Sequence, residues 1–163
     1  MKSYRILDVK DFMSHVLTKE TFDDLLLAEA KISGKAGLYL SGKPAEGFYE
    51  EEDLDESGYV CYGHLRKICL AMVQGQRTPD SFTMMFVLPR KKLSALIENS
   101  DSVLNPSDVE SLSLLVRFKD GGLSVVTGSA YRIFTMDRTL NEIWDKKVED
   151  FLTKNGIRWD VEG

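Results

Sequence analysis

Apolar residues recur every three or four positions in some stretches of this chain and every second position in others. Val9, Phe12, Met13, Val16 and Leu17 hold helical spacing, behind Asp8 as a natural N-cap and a short strand from Tyr4 to Asp8. At Leu26 the period changes to two. Leu26, Ala28, Ala30 and Ile32 alternate with Glu29, Lys31 and Ser33, turn through Gly34-Lys35-Ala36-Gly37, and return as Leu38-Tyr39-Leu40. Residues 41–60 carry no period. A second helix is expected from about Gly63, with Leu65, Ile68, Cys69, Met72 and Val73 on one face, Gly75 as its C-cap and Pro79 beyond.

Phe82 to Leu88 is apolar on both sides, as a central, covered strand would be. Pro89 opens a third helix carrying Leu93, Leu96 and Ile97, and a polar loop fills 99–110. Leu112, Leu114, Val116 and Phe118 then alternate with polar residues up to Asp120-Gly121, a hairpin signal, and Leu123 to Thr127 returns. Gly128 is expected to mark a bulge or bend before a strand from Tyr131 to Phe134. Thr139 and Glu142 have the spacing of a capping box. Behind them Leu140, Ile143, Trp144, Val148, Phe151 and Leu152 form a buried stripe, Gly156 ends the helix, and 157–161 can add an edge strand.

The order is β-α-β-β-α, then β-α-β-β-(β)-α. It predicts one α+β domain over 1–163: a mainly antiparallel sheet with helices packed on one face, and two similar half-units, about 1–78 and 79–163.

A net charge of −5 argues against a protein that chiefly coats nucleic acid, and no apolar run reaches the roughly 18 residues of a membrane span. The N-terminus lacks a signal-peptide core, and Asn105-Pro106-Ser107 has proline where a glycosylation acceptor forbids it. The expected location is the cytoplasm. Cys69 falls on an apolar helix face and reads as a reduced core residue.

No nucleophile elbow, Walker loop, dinucleotide fingerprint or His-Glu-x-x-His motif occurs. Cys61, Cys69, His15 and His64 match no zinc spacing, and no cofactor or metal is expected. His15 is placed on the polar face of the first helix and His64 at the start of the second. Glu50, Glu51, Glu52, Asp53, Asp55 and Glu56 repel one another as an extended, solvated loop, and are candidates to meet a basic protein partner. Arg66, Lys67, Gln74, Gln76 and Arg77 decorate the second helix and its exit. Arg90, Lys91 and Lys92 open the third helix, where cations oppose the helix dipole and so point to an outside anion such as phosphate. With Lys10 and Lys19 they form the candidate nucleic-acid contacts.

Phe86-Val87-Leu88-Pro89-Arg90-Lys91-Lys92-Leu93 resembles the strand-to-helix entry of sliding DNA clamp domains. The hairpin from Asp120 to Thr127, with Tyr131-Arg132 after it, is similar to the clamp hairpin. That resemblance implies a duplicated framework and a surface that meets DNA; clamps use several such domains, so one chain would have to oligomerise. Through Asp8-Val9-Lys10-Asp11-Phe12-Met13 and Val126-Thr127-Gly128, the chain is also similar to a bacterial domain family of unknown function. The expected role is a non-enzymatic binding or scaffold module. The alternative is an enzyme or small-ligand-binding protein with its site between the half-units.

Overall fold

Leu112, Leu114, Val116 and Phe118 drive the formation of an 11-residue strand, β5 (Val109–Lys119), each burying its side chain on the same face. Asp120 and Gly121 both take positive φ, 53° and 77°, the paired geometry of a two-residue hairpin turn. They return the chain as β6 (Gly122–Tyr131). The computed structural model describes residues 1–74 and 78–163; the expectations placed on Gly75, Gln76 and Arg77 lie outside the described residues.

The other elements are β1 (Ser3–Ile6), α1 (Val9–Leu17), β2 (Leu26–Ser33), β3 (Gly37–Ser41), α2 (Arg66–Val73), β4 (Ser81–Val87), α3 (Arg90–Glu98), α4 (Thr139–Lys154) and β7 (Trp159–Val161). Asp8 caps α1, its carboxylate accepting from the Asp11 N–H at 3.0 Å. The seven strands form one antiparallel sheet in the order β3-β2-β4-β5-β6-β1-β7. The chain is therefore α+β, and β4 is central as its two-sided apolarity implies. The element order repeats between the halves, but the strand neighbours do not. β4 lies between β2 and β5, whereas β1 lies between β6 and β7.

The helices cover one face. Phe12 and Val16 of α1, Cys69 of α2, Leu93 and Ile97 of α3, and Leu140, Trp144, Val148 and Leu152 of α4 share one core with the inward strand residues. On the other face Met85, Leu115 and Val126 are half-buried and Lys31 and Arg117 exposed. Phe22, between α1 and β2, joins the layers by ring contacts to Phe12, Phe86 and Phe151 at 5.1–5.6 Å.

Several sequence expectations are corrected. A bulge between Leu27 and Glu29 shifts the phase of β2, so Leu27, Ala30 and Ile32 point inward and Ala28 does not keep the alternation. A 3-10 turn at Tyr62–His64 delays α2 to Arg66, and Ile68 is turned to solvent while Cys69 is buried. β6 continues through Gly128, where a Cβ would stand 2.6 Å from Ser113 Oγ and require that hydroxyl to rotate. It ends at Tyr131, so no separate strand reaches Phe134. The Thr139–Glu142 capping box does not form; Asp137 accepts from the Thr139 N–H at 2.9 Å instead. His15 is buried, its Nδ1 at 2.7 Å from Thr21 Oγ1 and its Nε2 at 3.6 Å from Asp11. The turn back from α1 folds Thr21 over it, which an α1 helical wheel cannot reveal.

Candidate functional site

Beyond Tyr131 the chain leaves the sheet. The Arg132 N–H still donates to Asp108 O, at 2.9 Å, and then residues 132–138 loop outward to reach α4. This loop carries Ile133, Phe134 and Met136, which have no core to enter. Phe134 is 92% exposed, Met136 85% and Ile133 47%. Each large apolar side chain left in water forgoes about 1.5–3 kcal/mol of burial. A neighbouring loop adds Val103, 84% exposed.

Asp137 holds the two loops together. It accepts from the Thr139 hydroxyl and N–H on one side, and from Ser102 Oγ (2.9 Å) and the Val103 N–H (3.4 Å) on the other. These donors, Thr139 foremost, hold its carboxyl at about 2, below the ordinary carboxylate range. The folded value lies below the unfolded one. The tie is thus fully present above about pH 3.9 and is lost as pH falls through about 2. An NMR titration of the Asp137 carboxyl should show that low midpoint, and Thr139→Val should raise it. Arg132 and Arg138 flank the apolar residues, both exposed. The result is an apolar tip bordered by Arg132, Arg138 and the Asp137 carboxylate, with Arg132 also donating to the Ser107 carbonyl at 3.3 Å, an apolar patch rimmed by polar groups as docking surfaces are. The strand expected from Tyr131 to Phe134 does not form, because β6 pairing ends at Tyr131; the signal in the sequence is an apolar run after a complete hairpin with no partner run behind it.

The charged candidates fall differently. β1 and β4 are separated by three antiparallel steps, so they run in opposite directions. Helix α1 follows β1 and α3 follows β4, and the two helices start at opposite ends of the sheet. Lys10 is therefore remote from Arg90, Lys91 and Lys92. Lys19 lies just before β2, whose Leu26 pairs with Val87, and shares the α3 end. Lys10, Lys19, Lys91 and Lys92 are exposed.

Arg90 is occupied. Its guanidinium donates to the carbonyls of Val109 (2.7 Å), Pro106 (2.8 Å) and Glu110 (3.2 Å), anchoring the start of β5 to α3. The acidic segment lies across the same helix start: Asp55 Oδ1 accepts the Arg90 N–H at 2.9 Å, and Oδ2 holds Ser57. The anion that the α3 N-terminus favours is thus supplied from within the chain. Glu50, Glu51, Glu52, Asp53 and Glu56 remain exposed, with a 3-10 turn over Glu51–Asp53. Arg90→Met should destabilise the fold by about 2 kcal/mol in urea denaturation, whereas Lys92→Met should stay within about 0.5 kcal/mol of wild type.

A family model described as a family of unknown function (DUF5721) matches residues 15–160. The chain belongs to this family. No curated protein and no solved structure matches the chain. In this DUF5721 member the polar groups between β1, β6 and α4 are engaged with one another. Tyr4 OH donates to Glu149 Oε1 at 2.9 Å, Thr127 Oγ1 donates to Asp145, and the Lys2 N–H donates to Thr127 Oγ1 at 2.9 Å. Burial and the Glu149 carboxylate push the Tyr4 phenol up. This network fastens β1 to α4. A depression of about 710 Å³ lies elsewhere, at the β2–β3 turn, with Lys35 and Asp80 as its charged lining residues. Among the described residues no three of His, Cys, Asp and Glu converge as metal ligands, and no helix is long and apolar enough to cross a membrane.

Proposed function

We propose that this chain is a non-catalytic binding module that docks a protein partner through the tip formed by Val103, Ile133, Phe134 and Met136. The observation that carries this reading is the near-complete exposure of Phe134 and Met136 on the 132–138 loop, which Asp137 ties to the loop of Ser102 and Val103. A phenylalanine has only two side-chain torsions to fix on binding, and aromatic residues dominate interface energies. Arg132 and Arg138 suit a partner with carboxylates around an apolar pocket. Cys61 and Cys69 are free thiols, which fits a reducing compartment, and the reading places the module in a bacterial cytoplasm.

The test is affinity capture with quantitative mass spectrometry from the native cell. Phe134→Ser with Met136→Ser should lower recovery of the wild-type partner at least about tenfold, with the melting curve unchanged. Equal recovery by a folded double variant would refute the docking role.

The clamp-like reading keeps Lys19, Lys91 and Lys92 on one exposed end. It loses Arg90 to its carbonyls and Lys10 to the opposite end, and Glu50 to Glu56 share the same region. Duplex DNA should therefore show no binding at about 50 mM salt; salt-dependent binding there would restore that reading.

A further inference from the structure

We propose that the chain pairs with a second copy of itself through the outer edge of β3, continuing the sheet across a twofold axis at Tyr39. The two edges of the sheet differ. β7 is three residues long and carries Asp160, features that blunt an edge. β3 reads Gly-Leu-Tyr-Leu-Ser over five residues, without proline or charge, and among the described residues it pairs only with β2.

The direction of its backbone groups follows from one hydrogen bond. The Gly42 N–H donates to Ala28 O at 2.9 Å, in register with the β2–β3 pairs. The antiparallel alternation then turns Leu40 and Leu38 toward β2, and turns the N–H and C=O groups of Gly37, Tyr39 and Ser41 outward. The Tyr39 side chain does not obstruct them. Its hydroxyl donates to Glu29 at 3.2 Å and Lys31 Nζ stands 5.9 Å from its ring centroid, so the ring leans back over β2.

A second copy is the occupant because Leu38-Tyr39-Leu40 reads the same in both directions. With antiparallel pairing centred on Tyr39, the two Tyr39 residues form a hydrogen-bonded pair and Gly37 meets Ser41 of the second copy. Leu38, 42% exposed, then lies beside Leu40 of the second copy on the helix side. Lys35 meets Lys43 of the second copy only beyond the paired residues, and Lys43 Nζ stands 5.3 Å from the Tyr59 ring centroid, drawn toward its own chain. A single strand pair buries little surface, so the association belongs to the weak, reversible class.

Sedimentation equilibrium of the full chain, from about 1 µM to about 1 mM in about 0.15 M salt, reads the outcome. The expected mass rises with concentration from 18.4 kDa toward twice that value. Tyr39→Pro removes an outward donor that the monomer does not use, a position where an edge strand tolerates proline. It should stay monomeric throughout with the wild-type circular dichroism. Should that variant fail to fold, Tyr39→Lys places a charge at the twofold axis with every backbone group kept, and should also be monomeric. A wild-type chain at 18.4 kDa at every concentration overturns the proposal, as does a dimer that persists in a folded variant.

Discussion

Gly42→Ala is expected to destabilise the protein by at least about 3 kcal/mol, and to leave little native protein at physiological temperature. A Cβ at that position would stand 1.5 Å from Leu27 O and 2.6 Å from Leu27 C, both backbone atoms that cannot rotate aside. Gly42 sits against the bulge in β2, donating to Ala28 O and accepting from the Val60 N–H at 3.1 Å. Any shift that admits the methyl breaks this junction. The junction also returns residues 43–59 to the start of β2, where Leu27 donates to Val60 O and Tyr62 donates to Leu25 O. Urea denaturation checks the expectation; a midpoint within error of wild type would mean that the bulge yields freely.

Phe22→Ala should cost about 3–5 kcal/mol, the range for removing a fully buried phenylalanine. Phe22 has no solvent exposure and meets rings from α1, β4 and α4, so its loss opens a cavity between elements of both halves. The informative comparison is Phe134→Ala. The same chemical change at a side chain 92% exposed should leave stability within about 0.5 kcal/mol of wild type. Two phenylalanines, one costly and one nearly neutral to remove, separate the residues that hold the fold from those available for binding. A large stability loss at Phe134 would assign that loop to the fold.

Features written within a few residues of one another were legible in the sequence. Asp8 caps α1 and Asp120-Gly121 turns the hairpin because each acts on its immediate neighbours. The inward stripe of α4 and the alternation of β5 followed from their periods alone. Features that depend on distant partners were not. The carbonyl partners of Arg90 are invisible in sequence because nothing nearby announces that Pro106, Val109 and Glu110 will present carbonyls to it. Asp55 looked like one more solvated acid until the fold placed it on the Arg90 N–H, 35 positions away. The bulge at Ala28 is likewise set across the sheet, by the irregular register with β4. At Ile133 and Phe134, strand-forming residue types stood in for a strand, and only the end of β6 pairing shows that they leave the sheet.

The docking tip is tested most directly by a photo-cross-linking phenylalanine analogue placed at position 134 in the native cell. The same analogue at Lys154, exposed at the opposite end of α4, serves as the control. Position 134 should give one discrete adduct whose partner peptide is apolar with neighbouring carboxylates. Position 154 should give none of that species. No adduct at 134, or the same adducts from both positions, would contradict a specific docking surface on the 132–138 loop.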